Sequence, residues 1–186
     1  MLLRDADPDR DAAACAAIYA PSVADGVASL EERAPEPHEI ADRMRNITRA
    51  YPWLVAEVDG AVAGYAYASR HHDRAAYRWS ANVTVYLAPE HHRKGIGRGL
   101  YAALFTLLER QGIHQVCAGI TLPNAASVGL HESMGFVLIG VYPNIGFKFG
   151  QWRSVGWWQK PLRDHPPDHP PPELGPPLRL ADSETS

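Results

Sequence analysis

The sequence predicts one α/β domain built on a mixed sheet, and three observations carry that expectation. Residues 82–111 read as a strand, a basic glycine-punctuated loop and a helix in direct succession. Residues 53–68 read as two strands joined by Asp59-Gly60, a strong short-range hairpin signal. Further strand-like and helical runs then follow one another as far as Gln159. At 186 residues with 46% hydrophobic content, the chain is long enough for a single domain with a sizeable core.

Taken in order, Met1–Arg4 suggests a short edge strand. Asp7-Pro8 supplies a cap and a first-turn proline for a helix to about Ala20, with Ile18 and Tyr19 on its apolar side. A loop over 21–35 precedes a second helix, about Pro37–Ala50, in which Ile40, Met44 and Ile47 recur at helical spacing. The Asp-Gly hairpin follows, and 69–78 is a polar loop holding Arg70, His71, His72, Arg74, Tyr77 and Arg78. Val83–Leu87 is a β-branched and aromatic run, hence a buried strand, and Ala88-Pro89 stops it. The next helix buries Leu100, Leu104, Leu107 and Leu108 and ends at Gly112. Val116–Leu122 is a strand, Ala125–Met134 a short helix closed by Gly135, and Phe136–Val141 a strand. A closing hairpin runs from Gly146 to Gln159. The domain therefore covers 1–162. Eight of the sixteen prolines fall in the last 26 residues, so 163–186 reads as a poorly packed, extended tail. His165 and His169 lie in it, where prolines oppose the helix that would align them on a metal.

The loop between strand and helix carries the chemistry. Glycines at 95, 97 and 99 let the backbone turn its N–H groups inward, and the first amides of a helix have no internal partners. Arg93, Lys94 and Arg98 add full positive charge. The construction holds an anion. A dinucleotide fingerprint needs glycine where Leu100 stands, and a phosphate-binding P-loop needs G-K-S/T, which the chain lacks.

The spacing resembles the Q/R-x-x-G-x-G/A loop of the GCN5-related N-acetyltransferases (GNAT), with His92 at the Gln/Arg position. YPWLVAEVDGAVAGYAYA and PNAASVGLHESMGF resemble the hairpin and the P-N-x-x-S-x-x-x-H/Y-E-x-x-G-F/Y element of the phosphinothricin N-acetyltransferase-like branch. The likeness spans about residues 2–162. It implies a GNAT fold with the sheet splayed between 83–87 and 116–122, and acetyl-CoA as acetyl donor. It implies cofactor contacts from Val85, Tyr86, Leu87, Arg93, Lys94, Gly95, Ile96, Gly97, Arg98, Asn124 and Ser127. His131 matches a histidine proposed to assist the reaction. Asn82 stands where the branch has a glutamate proposed as general base, and an amide cannot accept and hold a proton. Arg74 and Tyr77 match positions that grip the acid groups of the substrate, with His72 beside them. Lys148 and Trp152 are expected to shape the pocket from the closing hairpin.

The implied reaction is acetylation of the α-amino group of a small acidic amino acid or glutamate-like antibiotic: phosphinothricin, methionine sulfone or sulfoximine, or arsinothricin. Two other readings stay open, peptide N-terminal acetylation and a non-catalytic acyl-CoA sensor. Relatives pair through the closing strands, and Trp152, Trp157 and Trp158 make a homodimer the expectation. A net charge of -3 and a pI near 6.3 argue against nucleic acid as partner. Cys15 and Cys117 are too few for a disulfide framework. No run reaches membrane-spanning length and the N-terminus meets charge at Arg4, so the expected setting is the cytoplasm.

Overall fold

A computed structural model describes residues 1–163 and 170–183. Its strands are β1 (Leu2–Asp5), β2 (Trp53–Val58), β3 (Ala61–Arg70), β4 (Ser80–Leu87), β5 (Gln115–Leu122), β6 (Val137–Lys148) and β7 (Gln151–Pro161). They form one sheet in the order β1-β2-β3-β4-β5-β7-β6, antiparallel except between β4 and β5. The helices are α1 (Pro8–Ala24), α2 (Pro37–Ile47), α3 (Ile96–Gln111) and α4 (Ala125–Ser133). Among the described residues, no helix is long and apolar enough to cross a membrane.

The sheet divides two cores. On one face, Ala81 and Val83 of β4 and Val116, Ala118 and Ile120 of β5 pack with Leu100, Leu104, Leu107 and Leu108 of α3. On the other, Trp53, Val55 and Tyr65 pack with Cys15, Tyr19 and Val23 of α1 and with Ile40 and Met44 of α2. Side chains alternate along a strand, so Asn82, Thr84 and Tyr86 face the α1/α2 side. Asp59 and Gly60 both take positive φ (52° and 82°), the two-residue turn that the hairpin requires. Gly112 caps α3 at φ 100°, where its amide and that of Ile113 bond back to Glu109 and Leu108.

The feature that makes a site is a broken pairing. β4 and β5 pair at Ser80–Gln115, Ala81–Val116 and Asn82–Cys117, and beyond Asn82 they part. β4 stays bound to β3 as far as Leu87, and β5 to β7 as far as Leu122. Each strand is held on its outer side while the inner edges diverge, as the splayed sheet requires.

Three elements differ from the sequence reading. α1 continues through Pro21 to Ala24, because Val23 is buried in the α1/α2 core and Asp25 closes the last turn onto the Pro21 carbonyl. β6 runs on past Pro143 to Lys148. It is the outermost strand, where a missing N–H is tolerated, and its register with β7 shifts on passing Pro143. The tail, expected to be poorly packed, is anchored over part of its length. Trp79 Nε1 donates to the Pro172 carbonyl at 2.8 Å, and Gly175 N donates to the Gln111 carbonyl at 2.7 Å. Leu174, Leu178 and Leu180 are partly buried on the α3 side. His165 and His169 lie outside the described residues.

Candidate active site

The loop before α3 is shaped as an anion cradle. Arg93 and Gly95 take positive φ (57° and 80°), turning the chain sharply into the helix. Gly95 is the N-cap and no side chain caps the first turn. A Cβ on Gly95 would meet nothing within 4 Å, so there is room for a ligand above it. Arg93, Lys94 and Arg98 are exposed and form no ion pair among the described residues. His92 braces the loop, its Nε2–H donating to the Leu87 carbonyl at the end of β4, 3.1 Å away. Gly97 has a different task. A Cβ there would stand 3.3 Å from Leu130 and 3.4 Å from Leu87, so its glycine permits α3, α4 and β4 to converge. Ile96 is buried, which leaves its backbone as the group able to meet a ligand.

Beside the cradle, the edge of β4 from Val85 to Leu87 that faces β5 has no strand partner among the described residues. Asn124 caps α4, its Oδ1 accepting from Ser127 N at 3.1 Å. Both residues are only partly covered and sit just past the end of β5.

His131 lies elsewhere, in surroundings that suit a structural role better than the expected proton transfer. It is 4% exposed and packs edge-on against Tyr101 and Phe136 on the α3 side of the sheet. Its Nδ1 lies 2.8 Å from the Ser127 carbonyl, which can only accept, so Nδ1 carries the proton. Nε2 then accepts from the Tyr101 hydroxyl at 2.9 Å. Burial lowers its pKa from the ordinary 6.5 and keeps it neutral. With both nitrogens occupied and no access, His131 is a core residue.

Asn82 sits at the last β4–β5 pair, on the opposite face of the sheet from His131. Its Oδ1 accepts from Nδ1–H of His71 at 2.8 Å. The loop from 71 to 79 packs as a set of rings here. His71 lies 6.0 Å from both Tyr77 and Trp157, and His72 lies 4.7 Å from Tyr77. Gly119 leaves the space that the Trp157 indole fills. Arg74 is exposed and opens the 3₁₀ turn Ala75–Tyr77. The structure thus bonds the loop to Asn82 at the base of the split and packs Tyr77 near His71 and His72, with Arg74 exposed on the same loop. It adds His71, which sequence reasoning left unassigned. The signal was present: an amide in the place of a general base, with a histidine at the end of the neighbouring strand.

A loop borders this face. The Tyr19 hydroxyl bonds Ser29 and Glu31, and Arg43 grips Glu31 with both terminal nitrogens. Lys148, 5% exposed, donates to the carbonyls of Val23 and Ser29. Lys148 therefore acts by pinning the loop, and Trp152 is exposed, stacked edge-on on Phe147.

A parallel pair that splits beside a glycine-and-cation helix start defines a class of protein, one that binds an extended anionic donor between two strands. Residues 8–157 match the acetyltransferase (GNAT) domain family. The phosphinothricin N-acetyltransferase of Streptomyces viridochromogenes is 43% identical over 134 residues, 72% of this chain and 73% of that protein. A GNAT-superfamily phosphinothricin acetyltransferase of Sinorhizobium meliloti, solved in complex with acetyl-CoA, superposes with a TM-score of 0.86 at 39% identity. That match covers 92% of this chain and 93% of the other. A structure described as ribosomal-protein-alanine N-acetyltransferase of Brucella melitensis gives 0.83 at 34% identity, covering 87% and 99%. The chain belongs to the GNAT acetyltransferase family. It is an acyltransferase, and acetyl-CoA is its acetyl donor.

Proposed function

We propose that this protein acetylates the α-amino group of a small acidic amino acid or glutamate analogue, of the kind represented by phosphinothricin, methionine sulfoximine or sulfone, and arsinothricin. The observation that carries the reading is the loop after β3, which bonds Asn82 at the last β4–β5 pair through His71, packs Tyr77 near His71 and His72, and leaves Arg74 exposed. A guanidinium, a phenol and an imidazole suit a carboxylate, phosphinate or arsinate. The bound donor supplies an acyl carbon already activated as a thioester. The chain's own groups do the rest. Loop amides at 95–98 and the three cations hold phosphate oxygens. The unpaired edge of Val85, Tyr86 and Leu87 aligns the pantetheine arm, and one of its amides faces the oxygen that gains negative charge. Asn124 and Ser127 flank the arm where it leaves β5.

Thiol release with a panel of amino acids tests the reading. Turnover is expected for phosphinothricin and methionine sulfoximine above that for neutral amino acids. Arg74→Ala is expected to raise KM about tenfold or more while moving kcat little, since it removes a charge-assisted contact made before and during reaction. The Brucella match supports a second acceptor class, a peptide N-terminus. Faster turnover of an alanine-terminated peptide than of any free amino acid overturns the first reading in its favour.

The same proposal places the protein in the cytoplasm as a homodimer paired through β6, a role in antibiotic resistance following where the acceptor is an antibiotic. β6 is the open edge of the sheet and exposes Val137, Ile139, Tyr142, Ile145 and Phe147, an apolar strip that water does not favour. Of the three tryptophans expected at the interface, Trp158 is buried in its own core and Trp157 is half-buried against His71, leaving Trp152 as the exposed one. Light scattering at micromolar concentration should give twice 20.5 kDa, and Ile139→Asp with Phe147→Glu should give the monomer mass. A monomer in the unmodified protein counts against it.

A further inference from the structure

We infer that His71 is the general base of this enzyme and that Asn82 is its positioning residue. The inference rests on the proposal that the acceptor is an amine delivered to the base of the split. Asn82 offers Oδ1 to Nδ1 of His71 at 2.8 Å. A hydrogen bond to an acceptor at Nδ1 fixes the proton there, so Nε2 of the neutral ring holds the lone pair. Nε2 has no hydrogen-bond partner among the described residues. The ring is partly exposed, and Trp157 stands edge-on to it at 88°, which limits its rotation. Here a base and its orienting group are divided between two adjacent strands. β3 ends at Arg70, one residue before His71, and Ser69 pairs with Asn82 across the ladder. The amide at 82 does for the imidazole what a carboxylate does in other base–orienter pairs, without adding charge.

The reaction balances with these groups. His71 Nε2 takes one proton from the acceptor's ammonium, breaking an N–H bond and freeing the nitrogen lone pair. The amine nitrogen bonds the thioester carbonyl carbon and the C–S bond breaks with its electron pair on sulfur. The amine's second proton goes to that sulfur, and Nε2 passes its own proton to solvent. The products are an N-acetyl amine, a free thiol and one released proton.

Titratable and charged groups lie near His71 on its own loop and on the neighbouring strands. On its own loop these are Arg70 with Asp73 at 3.9 Å, His72, Arg74, Tyr77 and Arg78, the last stacked on Trp79. From β4 comes Asn82, with Cys117 of β5 paired to it, and from β7 comes Trp157, against which Tyr142 of β6 packs. The Cys117 thiol is pushed up by burial and stays neutral.

The test uses the full chain with the best acceptor from the panel. His71→Gln keeps size and an amide proton for Asn82 but cannot accept a proton. It should melt like the parent and lower kcat/KM by ~10²–10⁴-fold, as loss of a general base does. The acid limb of the pH–rate profile should disappear in it, leaving only the acceptor amine's own titration near pH ~8. Asn82→Asp should move that limb to higher pH, because a carboxylate stabilises the imidazolium. Nitrogen-15 NMR of histidine-labelled free protein reads the same pair without substrate. It should show neutral His71 protonated at Nδ1, with a pKa that matches the limb and rises in Asn82→Asp. A kcat/KM within threefold of parent in His71→Gln, or a limb that persists there, overturns the assignment. So does a neutral ring protonated at Nε2. If no amine in the panel turns over, the amine-acceptor reading fails by itself, and the tautomer measurement still decides His71.

Discussion

Replacing Arg93, Lys94 and Arg98 together by alanine is expected to weaken acetyl-CoA binding by about 10²-fold or more at low salt, with no loss of fold. Each cation lies beside the helix start, whose amides are proposed to meet phosphate oxygens, and a charge-assisted contact of this kind accounts for roughly tenfold in affinity even when exposed. None of the three has an ion pair among the described residues, so their removal leaves nothing uncompensated. Titration calorimetry at about 50 mM and about 500 mM salt is the measurement. The loss should shrink at high salt, because the Debye length falls and exposed charges are screened. An affinity equal to the parent's at low salt removes the anion cradle from this loop. A substitution at Gly97 cannot make this separation, since any side chain there presses on Leu130 and Leu87 and disturbs the packing of α3.

His131→Ala is expected to destabilise the protein by about 3–5 kcal/mol. Loss of the ring leaves a cavity under α4, and the Tyr101 hydroxyl, fully buried, loses its acceptor. For a chain of this size the melting temperature should fall by roughly 10 °C. The pH dependence separates this role from catalysis. Burial depresses the folded-state pKa of His131 below 6.5. The neutral ring's contribution is therefore fully present above about pH 6.5 and is lost as pH falls from there through the folded-state pKa. Stability curves of the parent should show that decline, and His131→Gln should lack it. The pH–rate profile of His131→Gln should keep the parent's shape. A profile that loses a limb in that variant returns the proton to His131.

Much of the fold was legible because it is written locally. The turn at Asp59-Gly60 needs two positive φ angles, and Gly112 needs one, so a few residues name the element. The 3.6-residue spacing of Leu100, Leu104, Leu107 and Leu108 named the buried face of α3, and all four are fully buried. Where context overrode local signal, the sequence misled. Pro21 reads as a helix end and Pro143 as a strand end. The burial of Val23 carries α1 past the first, and the free edge of β6 tolerates the second.

The sequence by itself determined the glycine-and-cation start of α3, because it is assembled from neighbours in the chain and needs no distant partner. It also determined that Asn82 cannot hold a proton. Only the tertiary structure decided which histidine stands near it. His71 and His131 are both plausible in the sequence, one in a polar loop and one in a family-like motif. Strand alternation puts Asn82 on the α1/α2 face and α4 packs His131 against Tyr101 on the other, while pairing of β3 with β4 carries His71 to within 2.8 Å. Which face of a sheet a side chain occupies depends on register across the ladder, and register is a relation between strands that no single stretch of sequence contains.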